Sequence, residues 1–379
     1  MPETAIKAGL EDVIAGESSI CYIDGQRGIL SYRGYNIHEL AANSEFEETA
    51  YLLWFGRLPK RSELDDLKQQ LAKNRRLPPP VMDFLRRIPP GALPMDMLRT
   101  TASLLGLYDP DAQDMSEEAN IRKAIRLTGQ FAAVVAHFDR LRNGKEPVDG
   151  DPALSHAGAF LQMLTGERPG PYSERAMNVA LVLHADHELN ASTFAARVTA
   201  ATLADMHSAV TSAIGALKGP LHGGANEAVM KLLITFPDTE TALARVKQML
   251  AEKKKFPGFG HRVYHTEDPR ATHLRKMSES LGRERNELRW FQISRAIEEF
   301  MKAEKRLNAN VDFYSASTYH ILGIPTDLFT PIFAVSRIAG WTAHILEQFK
   351  HNRLIRPRAE YVGASDGQKW APIEDRVGT

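Results

Sequence analysis

Strand-forming pattern is confined to one short stretch of this chain. Residues 20–35 set β-branched and aromatic residues between glycines, which predicts one or two short strands with a turn. After that, apolar residues recur at helical spacing, in segments cut by Pro and Gly. Ser44 followed by Glu47 reads as a capping box, with Gly56 and Pro59 as the stop. Ser62 and Asp65 open the next helix, which ends before Pro78-Pro79-Pro80, and Pro89-Pro90-Gly91 is a further break. Ile121, Ile125, Phe131, Val135 and Phe138 share one helical face up to Gly144, and 143–151 reads as a loop. Ser173 caps a helix running into His184, and 200–217, rich in Ala, Ser and Gly, reads as one tightly packed helix. Residues 228–235 end at a turn at Pro237-Asp238, and 239–252 are amphipathic and closed by Lys253-Lys254-Lys255, whose charge suits a helix C-terminus. Residues 271–306 give two more helices, Pro325-Thr326-Asp327 opens a long apolar one over 328–348, and the tail from Arg358 is polar and extended. Strands are too few for a sheet-based fold, so the predicted class is all-α with many medium helices. No fixed-period repeat or heptad run occurs.

At 379 residues the chain is long enough for two domains or one large one. Lys and Arg total 47 and so do Asp and Glu, so no global field draws nucleic acid or an anionic membrane. The single Cys21 cannot form an internal disulfide; it reads as an inert buried thiol and fits a reducing compartment. The first seven residues lack the apolar core of a signal peptide, and no apolar run reaches the roughly 20 residues of a bilayer span. A cytoplasmic location is expected.

Three helix breaks carry titratable groups. His222 sits between Gly219-Pro220 and Gly223-Gly224, where the glycine pair lets other groups approach the backbone. His261 follows Gly258-Phe259-Gly260, and Asp312 follows Asn310-Val311. The three are expected to meet in one cleft, with a subdomain over about 223–316 inserted in a larger body.

Other clusters admit two readings. In His184-Ala185-Asp186-His187-Glu188, the two histidines are three residues apart and can share a helical face. They lack the HExxH arrangement, and the cluster is either a metal site completed from elsewhere, a substrate-binding patch, or a locally hydrogen-bonded helix end. Arg337 lies in an otherwise apolar helix, where an unpaired guanidinium costs several kcal/mol. It needs either an internal carboxylate or a bound one, which arginine grips with two parallel hydrogen bonds. Arg270 follows Asp268-Pro269, and Arg353, Arg356 and Arg358 flank Pro357 in an extended basic segment better suited to small anions than to nucleic acid. The lone Gly-x-Gly at 258–260 lacks the preceding strand and third glycine of a nucleotide fingerprint, and no Walker A sequence or G-x-S-x-G elbow is present.

Six segments, in order and at approximate spacing over nearly the whole chain, resemble the citrate synthase family. They are 28–34, 183–188, 219–227, 258–264 with Asp268-Pro269-Arg270, 310–312 and 353–357. The compact length resembles the short bacterial and archaeal dimeric branch. The resemblance implies an all-helical homodimer, with 1–222 and 317–379 as a large domain and 223–316 as a small one. It implies condensation of acetyl-CoA with oxaloacetate, without metal or other cofactor, and with no nucleic-acid or membrane partner. His222, His261 and Asp312 match the family's catalytic trio. His187, Arg270, Arg337 and Arg356 match its oxaloacetate ligands, Arg356 coming from the second subunit. Asn190 matches another, although the spacing after Glu188 is one residue shorter than in the animal enzymes. Lys255, Phe256, Gly258, Phe259, Gly260 and Asn310 correspond to the coenzyme A region. 2-Methylcitrate synthase, acting on propionyl-CoA, shares the trio. Outside the family, a metal-dependent hydrolase built on His184, Asp186 and His187 and a non-catalytic helical scaffold are the remaining readings.

The implied chemistry suits these residue types. A desolvated carboxylate, Asp312, removes a proton from the thioester methyl. A neutral His222 donates an N–H to the developing enolate oxygen, and His261 polarises the ketone. Arginines match the two carboxylates of oxaloacetate, and cleft closure strengthens each contact.

Overall fold

The computed structural model describes residues 7–11, 13–364 and 366–376. Residues 1–6, most of the segment read above for a leader, lie outside these. A three-stranded antiparallel sheet, β1 (Cys21–Asp24), β2 (Ile29–Tyr32) and β3 (Tyr35–Asn36), comes first. Sixteen α-helices follow among the described residues: α1 (Ile37–Asn43), α2 (Phe46–Phe55), α3 (Arg61–Asn74), α4 (Pro79–Arg87), α5 (Pro94–Leu107), α6 (Glu117–Arg142), α7 (His156–Thr165) and α8 (Pro171–His184). The second eight are α9 (Ala191–Ala200), α10 (Met206–Leu217), α11 (Ala225–Leu233), α12 (Thr239–Ala251), α13 (Pro269–Glu284), α14 (Leu288–Lys305), α15 (Val311–Ile321) and α16 (Phe329–Lys350). The chain is all-α in class, as its periodicity predicts. No described helix is long and apolar enough to cross a membrane.

Several boundaries differ from expectation, each for a local reason. The capping box of α2 is Glu45 with Glu48, one residue later than Ser44 with Glu47. Glu47 instead turns inward and accepts from the His156 N–H at 2.7 Å. Pro79 and Pro80 open α4, since proline costs nothing in a first turn where N–H groups lack helical partners. Gly170 is the N-cap of α8, and Ser173 lies buried inside it, accepting from Arg285. The expected single helix over 200–217 is the end of α9, a turn, and α10 capped by Asp205, whose carboxylate accepts from the Ser208 N–H at 3.0 Å. Propensity along the Ala-rich run favours helix throughout, and the side-chain cap decides where it restarts.

α16 is the axis of the larger packing group: α2, α6, α8, α9 and α10 all pack on it. Its buried residues cover the whole circumference of the helix, from Phe329 to Ile345. α12, α13, α14 and α15 pack mainly among themselves, while α11 lies on α15 and touches α16. The domain boundary expected at 316 falls inside α15, which runs unbroken to Ile321.

Candidate active site

His222 lies in the turn between α10 and α11. Gly223 makes that turn possible: its N–H returns to the Leu217 carbonyl at 3.0 Å, and a Cβ there would lie 2.4 Å from that oxygen. The His222 Nε2 faces the Ser192 N–H (3.3 Å) and hydroxyl (2.8 Å) at the start of α9. A backbone N–H only donates, so Nε2 carries the lone pair and Nδ1 the proton. Burial lowers the His222 pKa to about 4, and the charge of Arg337 adds to the shift. The ring is therefore a neutral N–H donor at neutral pH.

His261 reaches the same condition by another route. Its Nδ1 accepts from the N–H groups of Val263 (3.0 Å) and Tyr264 (3.2 Å), which leaves the proton on Nε2. Burial and then the Arg270 charge lower its pKa to about 4. The loop carrying it is sewn to the start of α15. Gly258 accepts from the Asn310 N–H at 2.9 Å, Gly260 donates to the Asn308 carbonyl at 3.1 Å, and the Asn310 side chain donates to the Gly260 carbonyl at 2.9 Å. Asn310 also caps α15 through the Asp312 N–H at 3.0 Å. His261 and Asp312, 51 positions apart in the chain, are thus fixed to one another by backbone pairing.

Asp312 retains some accessible surface but is surrounded by protein. Burial raises its pKa to about 6, against the opposing charges of Arg270 and Arg337, and no described residue donates a hydrogen bond to its carboxylate. A carboxylate of this kind is a stronger base than an exposed one.

Two buried arginines frame the histidines. Arg270, 3% exposed, clamps Asp268 through Nε (2.9 Å) and Nη2 (2.8 Å). The second oxygen of Asp268 also accepts from the Val311 N–H at 3.1 Å, tying the arginine to α15. Arg337 is 1% exposed and makes one protein hydrogen bond, Nε to the His184 carbonyl at 2.6 Å. Its guanidinium stacks over Phe333 at 4.6 Å, and among the described residues it has no ion-pair partner. No described carboxylate is in ion-pair contact with Arg337, although the charge of Asp186, which faces His344, bears on it. Phe333 also lies 6.4 Å, ring to ring, from His222.

His187 completes the enclosure. Its ring is 5.3 Å from that of His261, and its Nε2 is 3.2 Å from the Tyr264 hydroxyl. Burial, then the charges of Arg270, His261, Arg337 and His222, push its pKa well down. The turn that carries it is anchored by Tyr32, whose hydroxyl donates toward the Asp186 carbonyl (2.9 Å) and accepts from the Asp186 N–H (3.2 Å). α16 approaches this turn so closely that a Cβ at Gly340 would lie 2.3 Å from the Ala185 carbonyl.

The remaining expected residues divide. Asn190 is the N-cap of α9, its carboxamide spent on Thr193, Ser192 and the His187 and Glu188 carbonyls. Phe256 is buried against Phe259 and Phe313, so it shapes the loop from within the core. Lys255 is exposed. Arg356 lies on the exposed segment beyond α16. The metal reading of 184–188 loses its geometry: Asp186 faces His344 at 3.2 Å, and His184 Nδ1 faces the Ala180 carbonyl at 2.8 Å. No group of three or more metal-ligating side chains converges among the described residues. Ser192 and Phe333 were not singled out from the sequence, and Tyr264 and Asp268 stood in its motifs without a role. Only Asp268 carried a local sign, an N-cap before Pro269.

The family model described as citrate synthase, C-terminal domain, matches residues 9–358. The chain is 53% identical over 370 residues to citrate synthase 2 of Bacillus subtilis, covering 97% of this chain and 99% of that protein. It is 44% identical to the 2-methylcitrate synthase of Shewanella oneidensis, covering 97% and 98%. In shape, the chain superposes on the citrate synthase of Thermoplasma acidophilum, solved with carboxymethyl coenzyme A and oxaloacetate, with a TM-score of 0.91 at 34% identity, covering 98% of this chain and 100% of that one. The chain belongs to the citrate synthase family.

Proposed function

We propose that this protein condenses acetyl-CoA with oxaloacetate and water to give citrate and coenzyme A. The observation that carries the reading is a shared set of neighbours: His222 and His261 both bear on His187, Arg337 bears on His222 and Asp312, and Arg270 bears on His261 and Asp312. Arg337 and the free Nη1 edge of Arg270 are the charges that meet the two carboxylates of oxaloacetate, with His187 beside them. Asp312 takes a methyl proton from the thioester, and the Nδ1–H of His222 stabilises the enolate oxygen. The methyl carbon then bonds to the ketone carbon. The Nε2–H of His261 protonates the new alkoxide, and water cleaves the thioester to release the thiol. None of these steps calls for a metal or prosthetic group.

The dicarboxylate binds first on this reading, since its charges draw the two sides of the cleft together before the thioester is exposed. We also infer a homodimer in the cytoplasm, with Arg356 of a second copy reaching the site. The exposed, extended course of the chain after α16 supports that reach. The relative named for 2-methylcitrate synthesis keeps propionyl-CoA in view, because one methyl in an apolar pocket is worth only about 1–3 kcal/mol. The test is thiol release with acetyl-CoA or propionyl-CoA, with and without oxaloacetate. Release that needs oxaloacetate and is faster with acetyl-CoA supports the proposal. Release independent of oxaloacetate points to a hydrolase and contradicts it.

A further inference from the structure

Tyr264 has no part in the steps above, yet it holds both His261 and His187. It lies in the loop between α12 and α13, three positions after His261. Its backbone N–H donates to His261 Nδ1 at 3.2 Å. Its side chain reaches the turn between α8 and α9, where the hydroxyl is 3.2 Å from His187 Nε2. The buried ring lies 4.7 Å from that of His261 and 5.6 Å from that of His187, and the Arg270 guanidinium is 6.0 Å from its centre. One residue therefore touches three of the groups assigned to the ketone substrate.

Both ends of this bracket are held by the small sheet. The His265 N–H donates to the Gly25 carbonyl in the β1–β2 turn at 2.9 Å. Gly25 meets the loop so closely that a Cβ there would lie 2.0 Å from the Val263 carbonyl. At the other end, Tyr32 of β2 anchors the turn that carries His187. The distance that the Tyr264 side chain spans is thus set by backbone on either side of it.

The hydrogen bond has one productive direction. Burial raises the Tyr264 pKa above its already high ordinary value, so the phenol keeps a proton to give. Burial also keeps His187 neutral, with a single N–H. When Nε2 accepts from the phenol, that N–H is on Nδ1, which makes no hydrogen bond to a described residue and can donate to a carboxylate. The reverse pairing leaves Nδ1 with a lone pair, which repels an anion.

We propose that Tyr264 is a positioning residue for the dicarboxylate: its hydroxyl donates to His187 Nε2 and so fixes His187 as the Nδ1–H donor that meets the substrate. This rests on the condensation reading above, with His187 as an oxaloacetate contact.

The test pairs calorimetric binding of oxaloacetate with steady-state kinetics in wild type, Tyr264→Phe, His187→Gln and the double variant. Tyr264→Phe keeps the ring against His261 and Arg270, so the loss is expected in affinity rather than turnover. Kd and KM for oxaloacetate should rise about tenfold, and KM for acetyl-CoA should not follow. Because the hydroxyl acts through His187, removing it from His187→Gln should cost no more than about a further twofold. The full loss repeated in the His187→Gln background, or wild-type oxaloacetate affinity in Tyr264→Phe, overturns the inference and leaves the condensation reading intact. A wild type that neither binds oxaloacetate nor condenses it overturns both.

Discussion

α16 passes two kinds of buried charge within a few turns, and the contrast separates structure from function. Near its C-terminal end the ionic groups are paired with one another. Asp186 faces His344 at 3.2 Å, His344 accepts from Arg197 at 3.2 Å, Arg197 pairs with Glu347 at 2.7 Å, and Glu347 accepts from the Ser19 N–H at 2.8 Å. Two turns earlier, Arg337 has a carbonyl and an aromatic face but no carboxylate among the described residues. Asp312 has no hydrogen-bond donor for its carboxylate among the described residues either. Burying a charge is costly unless it is paired, so the paired network reads as scaffold, and the unpaired groups are the ones the proposed function assigns to a ligand.

The largest test of that contrast is Asp312→Asn. Turnover is expected to fall by about a thousandfold, since the base is removed while the shape is kept. The sign for stability runs the other way. The folded pKa of Asp312 is raised, so its contribution is favourable at low pH and is lost as pH rises through about 6. Melting curves at pH 8 should therefore show the variant no less stable than wild type. Next is the pair Arg337→Gln and Arg197→Met. The first is expected to raise the oxaloacetate KM about a hundredfold with little change in melting temperature. The second breaks a satisfied pair and is expected to cost about 3–5 kcal/mol in a denaturant titration. Equal destabilisation by the two would erase the distinction drawn here.

Smaller, but specific, is the pH profile. Activity needs Asp312 ionised and both imidazoles neutral. With His222 and His261 near 4, Asp312 is the one of these three that titrates between pH 5 and 7, so kcat/KM should fall on the acid side with an apparent pKa near 6. An acid limb at 4 or below would remove the raised carboxylate from the account. Smallest is Ser192→Ala, which keeps the backbone N–H that sets the His222 tautomer. A loss of about tenfold or less in kcat is expected, and a loss as large as that of Asp312→Asn would give the hydroxyl the role assigned to the backbone.

The helical class was legible because apolar spacing repeats over most of the chain. The breaks at His222, His261 and Asp312 were legible because Gly, Pro and Asn mark them. The supports were not. Ser192 reaches His222 across 30 positions, and Tyr32 anchors the Asp186 turn across 154, and neither residue carries a local signature of a partner so distant. Asn190 is placed by its motif among the ligands, and what the sequence did not show is that its carboxamide also caps α9. Arg337 was the reverse case: the sequence left its partner open between protein and ligand, and the packing shows no ion pair to it among the described residues.

The most direct measurement is a melting comparison of wild type and Arg337→Gln with and without oxaloacetate. If Arg337 waits for a carboxylate, oxaloacetate raises the wild-type melting temperature and leaves the variant nearly unmoved, and the two proteins melt within a few degrees of each other when ligand-free. If oxaloacetate shifts both equally, or the ligand-free variant melts far below wild type, Arg337 belongs to the scaffold and the central claim is contradicted.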